Sequence, residues 1–174
     1  VAASMGFLPT SMMTMAHWPD LTQAFGGLGA TILNSGELDP GLKQLIAFAV
    51  SNAAGCRYCQ AHTAKSAQKN AVSEDKIQAV FEFERSDLFS DREKAALRVA
   101  VHAGMVPNAV ESEHMGELSN YFSDKQAVEV VAVISLFGFL NRWNDTMATT
   151  LESTPKRFAA DQLASQGWVS GKHE

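Results

Sequence analysis

Two cysteines three positions apart are the most reactive side chains in this sequence. Cys56 and Cys59 are followed at the same spacing by His62. In a helix, at about 100° per residue, all three side chains lie on one face. Free N–H groups and the dipole at a helix start favour a thiolate, and an imidazole one turn away can take and return a proton. The spacing therefore indicates a redox-active dithiol, in which a sulfenic acid formed on one cysteine is resolved by the other as a disulfide.

Other interpretations of the same residues remain open. The two cysteines could share a buried helix by chance, and His62 alone could be a core histidine. Cys56, Cys59 and His62 could also bind a metal ion, but a tetrahedral site needs a fourth ligand, and no second cysteine pair provides one. A structural disulfide across so short a loop removes little entropy from the unfolded chain. With only two cysteines, the chain is expected in a reducing cytoplasm.

The elements around the pair predict a helical hairpin. Asp39-Pro40 provides an N-cap followed by proline at the first helical position, and apolar residues recur at helical spacing to about Ala54. Gly55 then turns the chain. A second helix begins at Cys56 or Arg57 and continues to about Asn70. The dithiol is therefore expected at the start of the hairpin's second helix.

The remaining segments also have helix signals, and strand signals are nearly absent. Capping residues and apolar periodicity predict further helices over about 19–33, 73–82, 90–104, 107–121 and 123–151. We expect an all-α, single-domain bundle of about seven helices, with a core over about 38–150 and a C-terminal tail over 155–174.

The long helix over 123–151 is apolar on more than one face, which is typical of a central helix or a subunit interface. This favours a homo-oligomer, whether dimer, trimer or hexamer. The net charge of −5 argues against a nucleic-acid partner. The uncharged stretch 130–141 is too short to span a membrane, so no membrane partner is expected.

Three segments carry a family resemblance: the apolar helix 42–50, the stretch Gly-Cys-Arg-Tyr-Cys-Gln-Ala-His-Thr-Ala over 55–64, and Phe-Gly-Phe-Leu-Asn-Arg-Trp-Asn-Asp over 137–145. Together they make the chain resemble the alkylhydroperoxidase D and carboxymuconolactone decarboxylase superfamily, in its peroxidase-related branch with a C-x-x-C pair. The resemblance covers about 38–150.

This resemblance implies an all-helical, oligomeric antioxidant enzyme that reduces hydroperoxides through its cysteine pair. It also implies re-reduction by a thiol-protein electron donor, with no further cofactor or metal. In the family pattern Cys59 attacks the peroxide, Cys56 closes the disulfide and His62 relays a proton. The helix dipole alone would instead favour Cys56 as the more acidic thiol.

The chain departs from the family pattern at two positions. A glutamate twelve residues before the first cysteine is replaced by Gln44, which can orient His62 but cannot accept a proton. If the relay needs a carboxylate, Asp145 is the candidate. His62 follows Cys59 by three residues where the family often has four, and both spacings keep the side chains adjacent.

Two other functions stay open at this point. One is acid–base decarboxylase or lactone chemistry, as in the superfamily's other branch, which does not depend on a cysteine pair. The other is a non-catalytic redox-sensing module, in which the dithiol switches an oligomer interface.

Overall fold

The computed structural model describes residues 7–174, and this part of the chain is all α-helical, as predicted. The described residues form nine α-helices: α1 Thr10–Met15, α2 Pro19–Asn34, α3 Pro40–Ala53, α4 Arg57–Lys69, α5 Glu74–Gln78, α6 Asp91–Gly104, α7 Ser112–Tyr121, α8 Asp124–Met147 and α9 Ser153–Gln162. Short 3-10 turns cover Ala79–Glu82, Ala164–Gln166 and Gly171–His173. The helices α1 and α9 were not predicted from the sequence.

Helix α3 forms the centre of the bundle and packs against α4, α6 and α8. It begins as predicted, because the Oδ1 atom of Asp39 accepts a hydrogen bond from the backbone N–H of Leu42 at 3.1 Å, and Pro40 occupies the first turn. Its second half is buried on nearly every side, from Leu45 to Ser51. A helix enclosed in this way gives the following turn a rigid support.

A buried lysine joins three helices around this centre. The ammonium of Lys43 in α3 donates hydrogen bonds to the carbonyl oxygens of Ile32 and Ser35, at the end of α2. It also lies 3.6 Å from Oε2 of Glu129 in α8. The burial of this charge is tolerated because partners surround it, and loss of any one of them would leave the charge incompletely compensated.

Capping boxes begin two of the predicted helices. Ser90 and Glu93 cap each other at the start of α6, and Ser123 and Gln126 do the same at the start of α8.

Two predicted boundaries were wrong. Helix α7 begins at Ser112 instead of Pro107, because the side chain of Asn108 accepts a hydrogen bond from the N–H of Val110 and holds a turn there. Helix α8 ends at Met147 instead of Leu151, because Ala148 takes a left-handed conformation with φ of 45°.

The C-terminal segment folds back over the start of α4. Helix α9 packs on α4, and the indole Nε1 of Trp168 donates a hydrogen bond to the carbonyl of Arg57 at 3.3 Å. The backbone N–H of Leu151 donates to the carbonyl of His173 at 2.9 Å. The predicted tail is therefore ordered and covers the helix start that carries the cysteines.

None of the helices described over 7–174 combines the length and the apolar character required to cross a membrane.

Candidate active site

The dithiol lies at the turn between α3 and α4, where the sequence predicts it. Gly55 has φ of 75°, a left-handed conformation that glycine adopts without strain, and Cys56 follows as the N-cap of α4. The Sγ atom of Cys56 accepts a hydrogen bond from the backbone N–H of Cys59 at 3.5 Å. Both cysteines are buried free thiols. The thiol of Cys56 thus takes the capping role that serine or aspartate fills in other helices.

The two thiols have opposite electrostatic environments. Hydrogen bonds from the Cys59 side chain and backbone lower the pKa of Cys56, although its burial acts in the other direction. Burial raises the pKa of Cys59 well above its ordinary value, and the neighbouring Cys56 raises it further. In the reduced pair, Cys56 is therefore the thiol that loses its proton more readily.

His62 is paired with a carboxylate that was not predicted from the sequence. Its Nε2 atom lies 2.6 Å from Oε2 of Glu152. The second oxygen, Oε1, accepts hydrogen bonds from the hydroxyl of Tyr58 at 2.9 Å and from the backbone N–H of Thr10. The Tyr58 ring stacks on His62 at 4.3 Å between ring centroids. These contacts hold the imidazole ring of His62 and the carboxylate of Glu152 in a fixed relative position.

The electrostatics of this group favour a charged Glu152. Its burial opposes ionisation, but the hydrogen bond and charge of His62, together with the backbone N–H of Thr10, lower its pKa to about 2. Burial raises the pKa of Tyr58, so its hydroxyl stays a hydrogen-bond donor. At neutral pH Glu152 is an anion that can stabilise a protonated His62.

Asp145, which was expected to provide this carboxylate, lies elsewhere. Its Oδ2 atom accepts a hydrogen bond from the ammonium of Lys172 at 2.7 Å, and its Oδ1 atom lies 3.6 Å from Nε2 of His173. The carboxylate that contacts His62 is Glu152 instead, because the left-handed turn at Ala148 redirects the chain after α8.

A cavity of about 530 Å³ opens beside Cys59. Its walls come from α1, α2, α3, α4 and α8, and include Gln44, Cys59 and His62. The amide Nδ2 of Asn144, also on the wall, donates a hydrogen bond to Sγ of Cys59 at 3.4 Å. The apolar part of the wall comprises Phe25, Leu33, Leu136, Phe137 and Leu140. Cys56 is not among the lining residues, so Cys59 is the thiol that a bound molecule meets first.

The structure does not assemble the metal site considered from the sequence. Within residues 7–174, the donor atoms of Cys56, Cys59 and His62 do not come within 4.8 Å of one another as a group of three. His62 directs Nε2 to Glu152 instead.

Glu152 could not be identified in advance because no local signal marks it. The predicted helix ran through Leu151, and the reversal occurs at an alanine, whereas glycine or asparagine would have indicated a left-handed turn.

Comparison with known families supports the sequence resemblance. The model of the carboxymuconolactone decarboxylase family matches residues 19–102. The protein YnjA of Escherichia coli K12 is 30% identical over 110 residues, and the match spans 63% of this chain and 60% of YnjA.

Solved structures extend the similarity to most of the chain. The debrominase Bmp8 is 40% identical with a TM-score of 0.87, over 93% of this chain and 87% of that one. A cysteine-to-alanine variant of Bmp8, 39% identical, was solved in complex with 2,3,4-tribromopyrrole. The alkylhydroperoxidase AhpD core of a peroxidase-related protein from Ralstonia eutropha JMP134 has a TM-score of 0.70 at 25% identity, over 83% of this chain and 77% of that one.

Proposed function

The chain belongs to the alkylhydroperoxidase D and carboxymuconolactone decarboxylase superfamily, whose members include enzymes, and from this premise we propose that it is a dithiol-dependent reductase. In this proposal Cys59 attacks an electrophilic atom of a substrate in the cavity, and Cys56 then closes the disulfide. A thiol-protein donor reduces the disulfide for the next turnover.

The placement of the two thiols carries this proposal. Cys59 faces a cavity large enough for a small organic molecule, whereas Cys56 lies behind it with the lower pKa. A resolving thiol needs to be a good nucleophile toward the first sulfur, not toward the substrate. The geometry therefore supports Cys59 as the attacking thiol. Its proton passes to Cys56 or His62 as the sulfur attacks.

The electron count is the same for two classes of substrate. The Cys59 sulfur takes a halogen from carbon or the terminal oxygen from a peroxide, and the carbanion or alkoxide left behind accepts a proton. The Cys56 thiolate then attacks the Cys59 sulfur and displaces halide or water, so that two thiols lose two electrons as one disulfide forms. His62, held by Glu152, is placed to donate the proton.

A small halogenated aromatic ring is our leading substrate class. The cavity wall combines aromatic and aliphatic side chains with hydrogen-bonding groups, including Gln44 and Tyr58. This combination suits a flat apolar ring with one polar edge. The 40% identity to a debrominase over 93% of the chain supports the same class.

Hydroperoxide reduction is the second candidate. The specific observation in its favour is the ion pair between His62 and Glu152 beside the cavity, because cleavage of an O–O bond needs a proton for the departing alkoxide. An apolar cavity favours an alkyl or aryl hydroperoxide over hydrogen peroxide.

Turnover of the reduced protein with 2,3,4-tribromopyrrole and with cumene hydroperoxide tests the proposal, with dithiothreitol as electron donor and product formation as the readout. We expect Cys59→Ser to form no product. In a reaction of the pre-reduced protein from which dithiothreitol has been removed, Cys56→Ser should form about one product per chain and stop, because no second thiol resolves the attacked sulfur.

Two other outcomes would favour a different mechanism or a different assignment of the cysteine roles. Product formation by Cys59→Ser at the wild-type rate would exclude dithiol chemistry and favour cysteine-independent acid–base catalysis. A stoichiometric burst in Cys59→Ser but none in Cys56→Ser would reverse the two roles.

A further inference from the structure

Three potential metal ligands that do not line the cavity converge around Cys56. Cys56, Asp145 and His173 each bring one donor atom into a group whose members all lie within 4.8 Å of one another. Cys56 and His173 are buried, and Asp145 is half-buried. They come from three separate places: the turn before α4, the last turns of α8 and the C-terminal segment.

His173 is held as a metal-ligating histidine would be. Its Nδ1 atom donates a hydrogen bond to the carbonyl of Thr149 at 2.9 Å. In the neutral ring, the Nε2 atom therefore has a lone pair available for a metal ion. His173 is only 1% exposed, and within residues 7–174 its Nε2 atom has no hydrogen-bond partner. A buried ring nitrogen without a hydrogen-bond partner destabilises the fold unless a ligand binds to it.

The arrangement differs from a proton relay. In a cysteine–histidine–carboxylate relay, the carboxylate binds the ring nitrogen remote from the thiol. Here that nitrogen, Nδ1, is taken by the carbonyl of Thr149, and Asp145 approaches Nε2 at 3.6 Å. Three donor atoms from separate parts of the chain that lie this close together can bind one cation between them.

We propose that Cys56, Asp145 and His173 form a Zn²⁺ site with one open coordination position. Thiolate, imidazole and carboxylate are the donors that zinc prefers, and three protein ligands with a fourth open position are typical of accessible zinc sites. The thiolate and the carboxylate bring two negative charges to the ion, and the second oxygen of Asp145 also pairs with Lys172. Binding releases the thiol proton of Cys56.

Zinc and the disulfide compete for the same sulfur, so the bound ion holds the reductase in an inactive reduced form. A chelator restores activity. The inhibition rests on the proposed reductase function, whereas the metal binding does not.

Binding is measured on the reduced protein by calorimetry with Zn²⁺ and by absorption with Co²⁺, whose thiolate complexes absorb in the near ultraviolet. We expect one ion per chain. Affinity should fall by at least about 10-fold in His173→Ala and in Asp145→Asn, which preserves side-chain shape. The thiolate absorption should vanish in Cys56→Ser.

Cys59→Ser and His62→Ala separate this site from a chelate at the C-x-x-C pair. We expect both variants to bind Zn²⁺ within about 2-fold of wild type, since neither residue belongs to the site. Loss of binding in Cys59→Ser, or unchanged binding in both His173→Ala and Asp145→Asn, would overturn the proposal.

The inhibition is measured without dithiothreitol, as the ratio of single-turnover rates of the pre-reduced protein with and without Zn²⁺ within each variant. We expect strong inhibition of wild type and at least about 10-fold weaker inhibition of Asp145→Asn. If zinc binds without inhibiting turnover, the proposed competition between Zn²⁺ and disulfide formation at Cys56 is wrong, whereas the zinc site itself stands. Absence of turnover in the metal-free wild type would contradict the proposed function and leave the binding result intact.

Discussion

Glu152 determines how His62 can act. One carboxylate oxygen faces His62, and the other accepts hydrogen bonds from Tyr58 and Thr10, so both oxygens are held in place. Glu152 acts through His62 and is a positioning residue in the proposed reaction. It supplies the negative charge that Gln44 cannot.

Replacement of Glu152 by glutamine tests this role. The amide keeps a hydrogen bond but cannot stabilise an imidazolium, so we expect turnover to fall by roughly 10²-fold with an altered pH profile. Glu84→Gln, which removes a surface partner of Arg98, is the matched control and should leave turnover unchanged. A Glu152→Gln variant with the wild-type rate and pH profile would disprove the role.

The same variant has a pH-dependent effect on stability. The pKa of Glu152 falls from 4.5 to about 2 on folding, so its contribution is complete above pH 4.5 and is lost as the pH falls toward 2. The difference in the free energy of unfolding between wild type and Glu152→Gln, from urea titrations, should therefore shrink over that interval.

At the level of the elements, the helical hairpin that carries the dithiol depends on a close approach between α6 and α3. A Cβ atom at Gly104 would lie 2.8 Å from the carbonyl oxygen of Val50 and 2.8 Å from Cβ of Ala53. Neither atom can move without shifting α3, which supports the turn at Gly55. Glycine is required at position 104 by packing, not by its backbone angles.

Gly104→Ala should therefore destabilise the fold by roughly 1–3 kcal/mol. Gly116→Ala is the matched control, because nothing lies within 4 Å of its Cβ position in α7. That substitution should raise stability by up to about 1 kcal/mol through helix propensity. Chemical denaturation of both variants measures the difference, and equal stabilities would contradict the packing argument.

The local signals in the sequence predicted the helical hairpin well. Contacts between residues that are distant in the sequence could not be predicted. Asp39, Gly55 and the capping boxes act within a few residues, so their effects can be inferred from spacing alone. Glu152 reaches His62 from 90 positions away, after a left-handed turn at Ala148 that no glycine marks. His173 reaches Cys56 from about 117 positions away, and the glycines that mark turns before it do not indicate which part of the chain it meets. The periodicity of α9 was hidden by its polar residues, and its packing on α4 became evident only from the fold.

For the whole molecule, α8 leaves an apolar stripe on the surface. Val128, Val131 and Phe139 are exposed by 68%, 41% and 40%, at spacings that place them along one side of the helix. The opposite side is buried in the core, so the helix is not enclosed on all sides within one chain. This pattern favours the interface interpretation over a purely central helix, and we propose that the protein forms a homo-oligomer through this stripe.

Sedimentation velocity of the reduced protein tests the oligomer. We expect a mass above that of one chain, reduced in the double variant Val128→Lys, Val131→Glu. Val169→Lys replaces a valine that is 63% exposed in the C-terminal segment, and its mass should match wild type. A monomeric wild type would rule out the interface. A change of mass on oxidation would favour the redox-sensing alternative.

The capping role of Cys56 has an energetic consequence for the redox cycle. Its sulfur stabilises the first turn of α4 only while it is free to accept the N–H of Cys59, so the start of the helix and the reduced state support each other. Whatever stabilises the reduced thiolate raises the reduction potential of the pair. The disulfide is thereby easier for a thiol donor to reopen, and the folding energy of one helical turn contributes to the recovery of the enzyme after each turnover.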